Sequence, residues 1–273
     1  MQQEPDKKPV NGSLENNVQG MVEQAQQEVA QTREPWYRVF QRTRTLVTIY
    51  LMIFVLFLAL ATFVFYHPVL SVDVLITKEF QENQSPWLRG LMIMVSWLGS
   101  NMIIFALLIL LTALVFWLVN LRLEAVLIAG LSIVSSALNV LIKLIVHRPR
   151  PTAGLVEIIQ SATGHSFPSG HVMSYVAFFG LLFSLGFVLF KKNRWWHYAL
   201  LIVSAFFVIL VGPSRIYLGD HWASDVVGGY MFGGLLLGLA LWLYLGLRRR
   251  GVLAPKAVHE KRQANSAHLR TAK

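Results

Sequence analysis

Apolar residues in this chain fall into long runs separated by short polar stretches, and the lengths of those runs predict its elements. Thr45–Tyr66 carries no charge, and a helix crosses a hydrocarbon core with about 20 apolar residues. Comparable runs cover residues 101–119, 123–146, 172–190, 198–212 and 226–247. The pattern predicts an all-α membrane protein of six transmembrane helices. Residues 67–98 mix apolar positions at helical spacing with charges and Pro86, and are expected to form one or two short helices lying at the interface. Three regions follow: a polar, disordered tail over 1–40, a six-helix membrane domain over 41–250, and a basic tail over 251–273.

Composition agrees with the pattern. Of 273 residues, 55% are hydrophobic and 14% charged, far from the balance of a soluble globular protein. The net charge of +10 sits beside apolar runs, so topology and an anionic lipid surface explain it and nucleic acid is not expected. With no cysteine, disulfides, thiolate catalysis and cysteine metal sites are excluded. The first run starts only after residue 44 and lacks a small-residue cleavage site, so no secretory signal is expected.

Charge also predicts orientation. Arg38, Arg42 and Arg44 precede the first run; Arg122 follows the second; Lys191, Lys192 and Arg194 follow the fourth; Arg248, Arg249 and Arg250 follow the sixth. In an up-and-down chain all four groups share one side, which the positive-inside rule makes cytoplasmic, with both termini. The protein is expected to be a multi-pass plasma-membrane protein whose loops 67–98, 147–169 and 213–225 face outward.

Two of those outer loops hold the unusual polar residues. In SRIYLGDHWASD, residues 214–225, His221 and Asp225 stand at i and i+4, so the carboxylate can hold one imidazole nitrogen and leave the other free. That arrangement suits a histidine nucleophile or base. Arg215 adds a permanently charged fork for phosphate or carboxylate oxygens. Lys143 and Arg150 bring further positive charge to the same side, and Ser169, Gly170 and His171 stand where a helix begins. Their backbone N–H groups and the serine hydroxyl can face an anion, and Gly170 permits close approach. Three cations around one point suit a phosphoryl group in transfer. Two histidines could divide attack on phosphorus from protonation of the leaving oxygen.

KLIVHRPRP, PSGH and SRIYLGDHWASD, in this order and spacing, resemble the three-part signature of the type 2 phosphatidic acid phosphatase superfamily, and the chain is similar to its bacterial membrane lipid phosphatases. The resemblance implies that His221 is a nucleophile forming a phosphohistidine, that Asp225 orients it and that His171 is the general acid. It implies that Lys143, Arg150, Ser169, Gly170 and Arg215 cradle the phosphate, with neither metal nor cofactor. The expected reaction is hydrolysis of a membrane lipid phosphate or diphosphate at the outer face. Candidate substrates are undecaprenyl diphosphate, phosphatidylglycerol phosphate and phosphatidic acid. A lipid phosphotransferase using the same phosphohistidine, and a catalytically silent lipid-binding protein, are the alternatives.

Other residues have plainer expectations. Arg148 is expected to snorkel from a helix end, His147 and His165 to be structural or rim residues, and the glycines of the last run to serve packing. Trp222 stands close enough to His221 to shape a pocket, and Asp220 is an extra acid beside it.

Overall fold

A computed structural model of the chain describes residues 43–189, 195–250 and 252–253. The tail 1–40, the basic group at 191–194 and nearly all of 251–273 lie outside them. The chain divides into two compact units, Met1–Met52 and Ile53–Lys273, and the second contains every candidate site residue.

The described residues form helices and no strands. In order these are α1 (Thr43–Tyr66), α2 (Ser71–Glu82), α3 (Pro86–Ser100), α4 (Met102–Leu118), α5 (Arg122–Val146), α6 (Gly170–Tyr175), a π-helical turn (Val176–Gly180), α7 (Leu181–Leu189), α8 (Trp195–Tyr217) and α9 (Ala223–Arg250). Five segments are long and apolar enough to span: Thr45–Tyr66, Arg122–Val146, Gly170–Leu189, Trp195–Tyr217 and Ala223–Arg250. Many large apolar side chains point away from the protein, among them Met102, Leu118, Ile133 and Ile202. Exposure on that scale fits lipid and not water.

A sixth span is counted among the described residues only if the bent pair of α3 and α4 is taken as one. Sequence periodicity starts the second span at residue 101, but α4 has 17 residues, and apolar helix continues back through α3 to Pro86 across a 72° bend. Asn101 makes the corner: its N–H donates to the Trp97 carbonyl at 3.1 Å and its side chain accepts from the Ile104 N–H at 3.1 Å. One residue therefore ends α3 and caps α4.

α2 turns a polar face inward. Asp73, Thr77 and Gln81, at i, i+4 and i+8, are buried, while Val72 and Leu75 are exposed. Gln81 donates to the carbonyls of Glu157 (2.7 Å) and Tyr217 (2.9 Å) and accepts from the Glu157 N–H (3.0 Å). The helix is bolted to the loop after α5 and to the end of α8.

The continuous span Gly170–Leu189 lies at the centre, with α3, α5, α8 and α9 packed on it. Small residues let α9 approach, as expected. A Cβ on Gly228 would stand 2.6 Å from Phe167, and one on Gly229 would stand 3.0 Å from the Ser169 carbonyl. The glycines thus admit the loop that enters α6.

Candidate active site

Four helix ends meet. Lys143 is in the last turn of α5, Gly170 and His171 open α6, Arg215 is in the last turn of α8, and Asp225 is in the first turn of α9. The loop from α5 to α6 is folded back over these ends. His147 leaves α5 in the left-handed region, with φ 50°. Lys143 Nζ donates to the His165 carbonyl (2.6 Å), Arg150 Nε to the Gly164 carbonyl (3.1 Å) and Trp222 Nε1 to the Pro149 carbonyl (3.1 Å). Trp222, next to His221 in sequence, is fully buried.

His221 is 1% exposed, and its two ring nitrogens face different partners. Nε2 lies 3.3 Å from Arg150 Nη1. A guanidinium only donates, so Nε2 must present its lone pair. The neutral ring then carries its proton on Nδ1, which faces Asp225 Oδ2 at 3.4 Å, an ion-pair separation longer than a hydrogen bond. Burial, followed by the charges of Arg150, Lys143 and Arg215, holds His221 well below the ordinary imidazole value. Near neutral pH the ring is uncharged, as a nucleophile requires.

Arg148 corrects its expected place. It is not a snorkelling residue but one of the most buried side chains of the protein, at 1% exposure. Its Nη1 donates to Asp225 Oδ1 (2.5 Å) and Ser224 Oγ (2.7 Å), its Nη2 to Asp73 Oδ2 (2.7 Å), and its Nε to the Pro68 carbonyl (2.9 Å). Asp73 also accepts from the Ser224 N–H (2.9 Å) and hydroxyl (2.6 Å). One guanidinium between two carboxylates satisfies a buried charge that would otherwise be costly. Asp225 Oδ2 keeps the Trp222 N–H (3.0 Å) and faces His221. Asp73 lies 75 residues before Arg148 and is one of three acids in α2, with no sequence signal to set it apart from Glu79 and Glu82; RPRP, with two arginines in one motif, is the clue to Arg148.

The phosphate-cradle residues differ in detail from their expected roles. The Ser169 N–H donates to the Asp225 carbonyl (3.0 Å) and is not free for an anion. Ser169 Oγ is buried and has no hydrogen-bond partner among the described residues; the same is true of Arg215 Nε. Gly170 is small because a Cβ would stand 2.9 Å from Asn139 Oδ1, while Asn139 itself donates to the Pro168 carbonyl (3.1 Å). Arg215 Nη2 is paired with Asp220 at 2.8 Å. Burial pushes the Asp220 carboxyl up, opposed by Arg215 and Arg150, and burial lowers the Arg150 guanidinium. His147 and His165 meet each other, ring to ring at 4.6 Å, and remain at the rim.

His171 lies across the site against the α3–α4 corner. Its Nε2 is 3.1 Å from Ser100 Oγ, and a Cβ on Gly99 would stand 2.5 Å from its ring. Tyr175, one turn on, donates to the Val95 carbonyl (2.6 Å) and accepts from the Gly99 N–H (3.0 Å). The corner that supports His171 comes from a stretch whose sequence shows only an apolar, interfacial character.

Buried donors left without partners, an uncharged histidine with its lone pair in the site, and cations on three sides can accept a phosphoryl group and stabilise its charge. Comparison with known proteins agrees. The sequence pattern of the PAP2 superfamily matches residues 124–249. The chain is 31% identical over 191 residues to a phosphatidylglycerophosphatase B of Bacillus subtilis (strain 168), covering 67% of this chain and 89% of that one. It is 38% identical over 72 residues to an undecaprenyl-diphosphatase of Sulfolobus acidocaldarius, covering 26% and 30%. The crystal structure of a transmembrane PAP2-type phosphatidylglycerolphosphate phosphatase from Bacillus subtilis superposes with a TM-score of 0.58 at 27% identity, over 71% of this chain and 94% of that one. The chain belongs to the PAP2 superfamily, as a multi-pass membrane protein that hydrolyses lipid phosphates.

Proposed function

We propose that the chain hydrolyses a lipid-linked phosphate or diphosphate through a phosphohistidine on His221, at the outer face of the plasma membrane. The observation that carries this reading is the setting of the His221 ring, with Arg150 beside Nε2 and Asp225 beside Nδ1. Arg150 claims the Nε2 lone-pair side and Asp225 faces Nδ1, so Nε2 is the attacking atom. Lys143, Arg150, Arg215, Ser169 Oγ and the start of α6 at Gly170 surround the phosphoryl group, and Asp225 steadies the imidazolium formed as the P–N bond is made. His171 protonates the departing oxygen and later takes a proton from the attacking water. The reaction assigned to these residues uses no metal or cofactor, and residues 41–250 form the phosphatase domain.

Phosphatidylglycerol phosphate is the first substrate to test, because the phosphatidylglycerophosphatase B relative matches over 89% of its length. Undecaprenyl diphosphate and phosphatidic acid follow. Charge placement supports cytoplasmic termini and an outward site, with six spans if α3 and α4 cross together and α2 lies at the interface.

The test is phosphate release from these three lipids in detergent with excess chelator, wild type beside His221→Ala. Release by the wild type alone is expected, with an acid-labile 32P-labelled phosphohistidine trapped by alkaline denaturation and absent from the variant. Equal release by both proteins would overturn the nucleophile.

A further inference from the structure

A chain of side chains outside the three motifs connects Arg215 to His171. Arg215 Nη1 donates to Ser96 Oγ; Ser96 Oγ donates to Gln160 Oε1 (3.3 Å); Gln160 Nε2 donates to Ser100 Oγ (3.1 Å); and Ser100 Oγ lies 3.1 Å from both the Ser96 carbonyl and His171 Nε2. Arginine has no acceptor, so Ser96 Oγ accepts from Arg215 and directs its own proton to Gln160 Oε1, with the amide nitrogen toward Ser100. Ser100 Oγ donates to the Ser96 carbonyl at 3.1 Å, with Ser96 Oγ farther off at 3.5 Å. With its proton on that carbonyl, Ser100 Oγ accepts from Gln160 and from His171 Nε2–H.

Packing agrees with the bonds. The Cδ2–Nε2 edge of His171 lies against Gly99, where even a methyl would stand 2.5 Å from Cδ2 and 3.2 Å from Nε2. Tyr175 ties α6 to the same corner through Val95 and Gly99. The opposite edge, Nδ1–Cε1, faces away from the corner.

We infer that Ser100 and Gln160 are positioning residues for His171, holding its Nε2–H in the α3–α4 corner so that Nδ1 exchanges the proton with the leaving group. This rests on the assignment of His171 as general acid. His171 enters the step as the imidazolium, protonated on both nitrogens; as His221 Nε2 bonds to phosphorus and the P–O bond breaks, the His171 Nδ1 proton moves to the departing oxygen, leaving a neutral alcohol and a neutral Nε2–H imidazole. In the second step water gives its proton to Nδ1 as its oxygen attacks phosphorus and the P–N bond breaks.

The consequence is selective. An alkoxide leaves poorly without a proton, whereas a nitrophenolate leaves largely unaided, so loss of the corner should harm one and spare the other. The experiment uses the full chain in detergent and compares kcat on phosphatidic acid with kcat on p-nitrophenyl phosphate, for Ser100→Ala, Gln160→Ala and Gln160→Glu, which keeps the size and removes the donor. The ratio of the two rates is expected to fall by about 10- to 100-fold in each. Equal losses on both substrates, or none, would overturn the inference.

A second measurement needs no turnover. In 15N-histidine-labelled wild type, with His171 assigned from its loss in His171→Gln, the neutral ring is expected as the Nε2–H tautomer. A Nδ1–H tautomer would overturn the seat even if every variant misfolded. Because this reads the ring directly, its result stands apart from failure of the phosphohistidine mechanism, which the phosphate-release assay reports.

Discussion

Arg148 and Asp225 meet at 2.5 Å with both side chains out of solvent, so the carboxylate facing the candidate nucleophile is held from behind by a guanidinium. The same guanidinium reaches Asp73 at 2.7 Å, which ties α2 to α9 through the centre of the site. Breaking such a pair from one side leaves an uncompensated buried charge. Arg148→Ala is therefore expected to destabilise the protein by about 3–5 kcal/mol. Arg148→Lys keeps the charge but not the fork, and should fold while losing about 10- to 100-fold in kcat. Thermal unfolding in detergent and phosphate release measure the two effects.

His221 gives stability a pH dependence of known sign. Its folded-state value lies well below the unfolded one of about 6.5, so the unfolded chain binds the extra proton first. That contribution is fully present above about pH 6.5 and is lost as pH falls below it, toward the depressed folded value. Melting temperatures between pH 5 and 7.5 should fall on acidification in the wild type and fall less in His221→Gln. Equal slopes would show that His221 is not held neutral.

Asp220 occupies part of the charge of Arg215, at 2.8 Å. Replacing it with Asn removes a competing anion beside the phosphate pocket. Vanadate, which resembles the pentacoordinate phosphoryl state, should then inhibit Asp220→Asn at severalfold lower concentration than wild type. Inhibition of Arg215→Ala should weaken. Inhibition constants measured on the same lipid substrate test both directions.

Because the chain has no native cysteine, one introduced residue reports topology cleanly. Ser161 is exposed in the loop between α5 and α6. Ser161→Cys should react with an impermeant maleimide in intact cells. Reaction only after permeabilisation would place the site on the cytoplasmic face.

Gly228 faces Phe167, where a Cβ would stand 2.6 Å from the ring. Gly228→Ala must push the loop that carries Ser169, at a cost of about 1–3 kcal/mol. A lower melting temperature together with reduced kcat is expected; Gly234→Ala, at a position with open space, should change neither.

Helical runs, the basic ends and the positions of Lys143, Arg150, His171, Arg215, His221 and Asp225 were legible in the sequence because each depends on local information. Apolar length sets a span, and i,i+4 spacing sets His221 against Asp225. What surrounds those residues depends on pairs far apart in the chain. Arg148 looks like any basic residue at a helix end until Asp73 and Asp225 are placed on either side of it. Ser100, Gln160 and Gly99 have no periodic or compositional mark, since a hydrogen-bond chain needs distances of about 3 Å and not a spacing in sequence. The second span shows the same limit: hydropathy locates apolar residues on both sides of Asn101 but cannot express a 72° bend. Sequence by itself determined the membrane setting and the candidate reacting groups, through local chemistry. Tertiary structure alone decided what the ring nitrogens of His171 and His221 face and which buried charge holds Asp225, because burial and directed hydrogen bonds exist only once distant segments are packed.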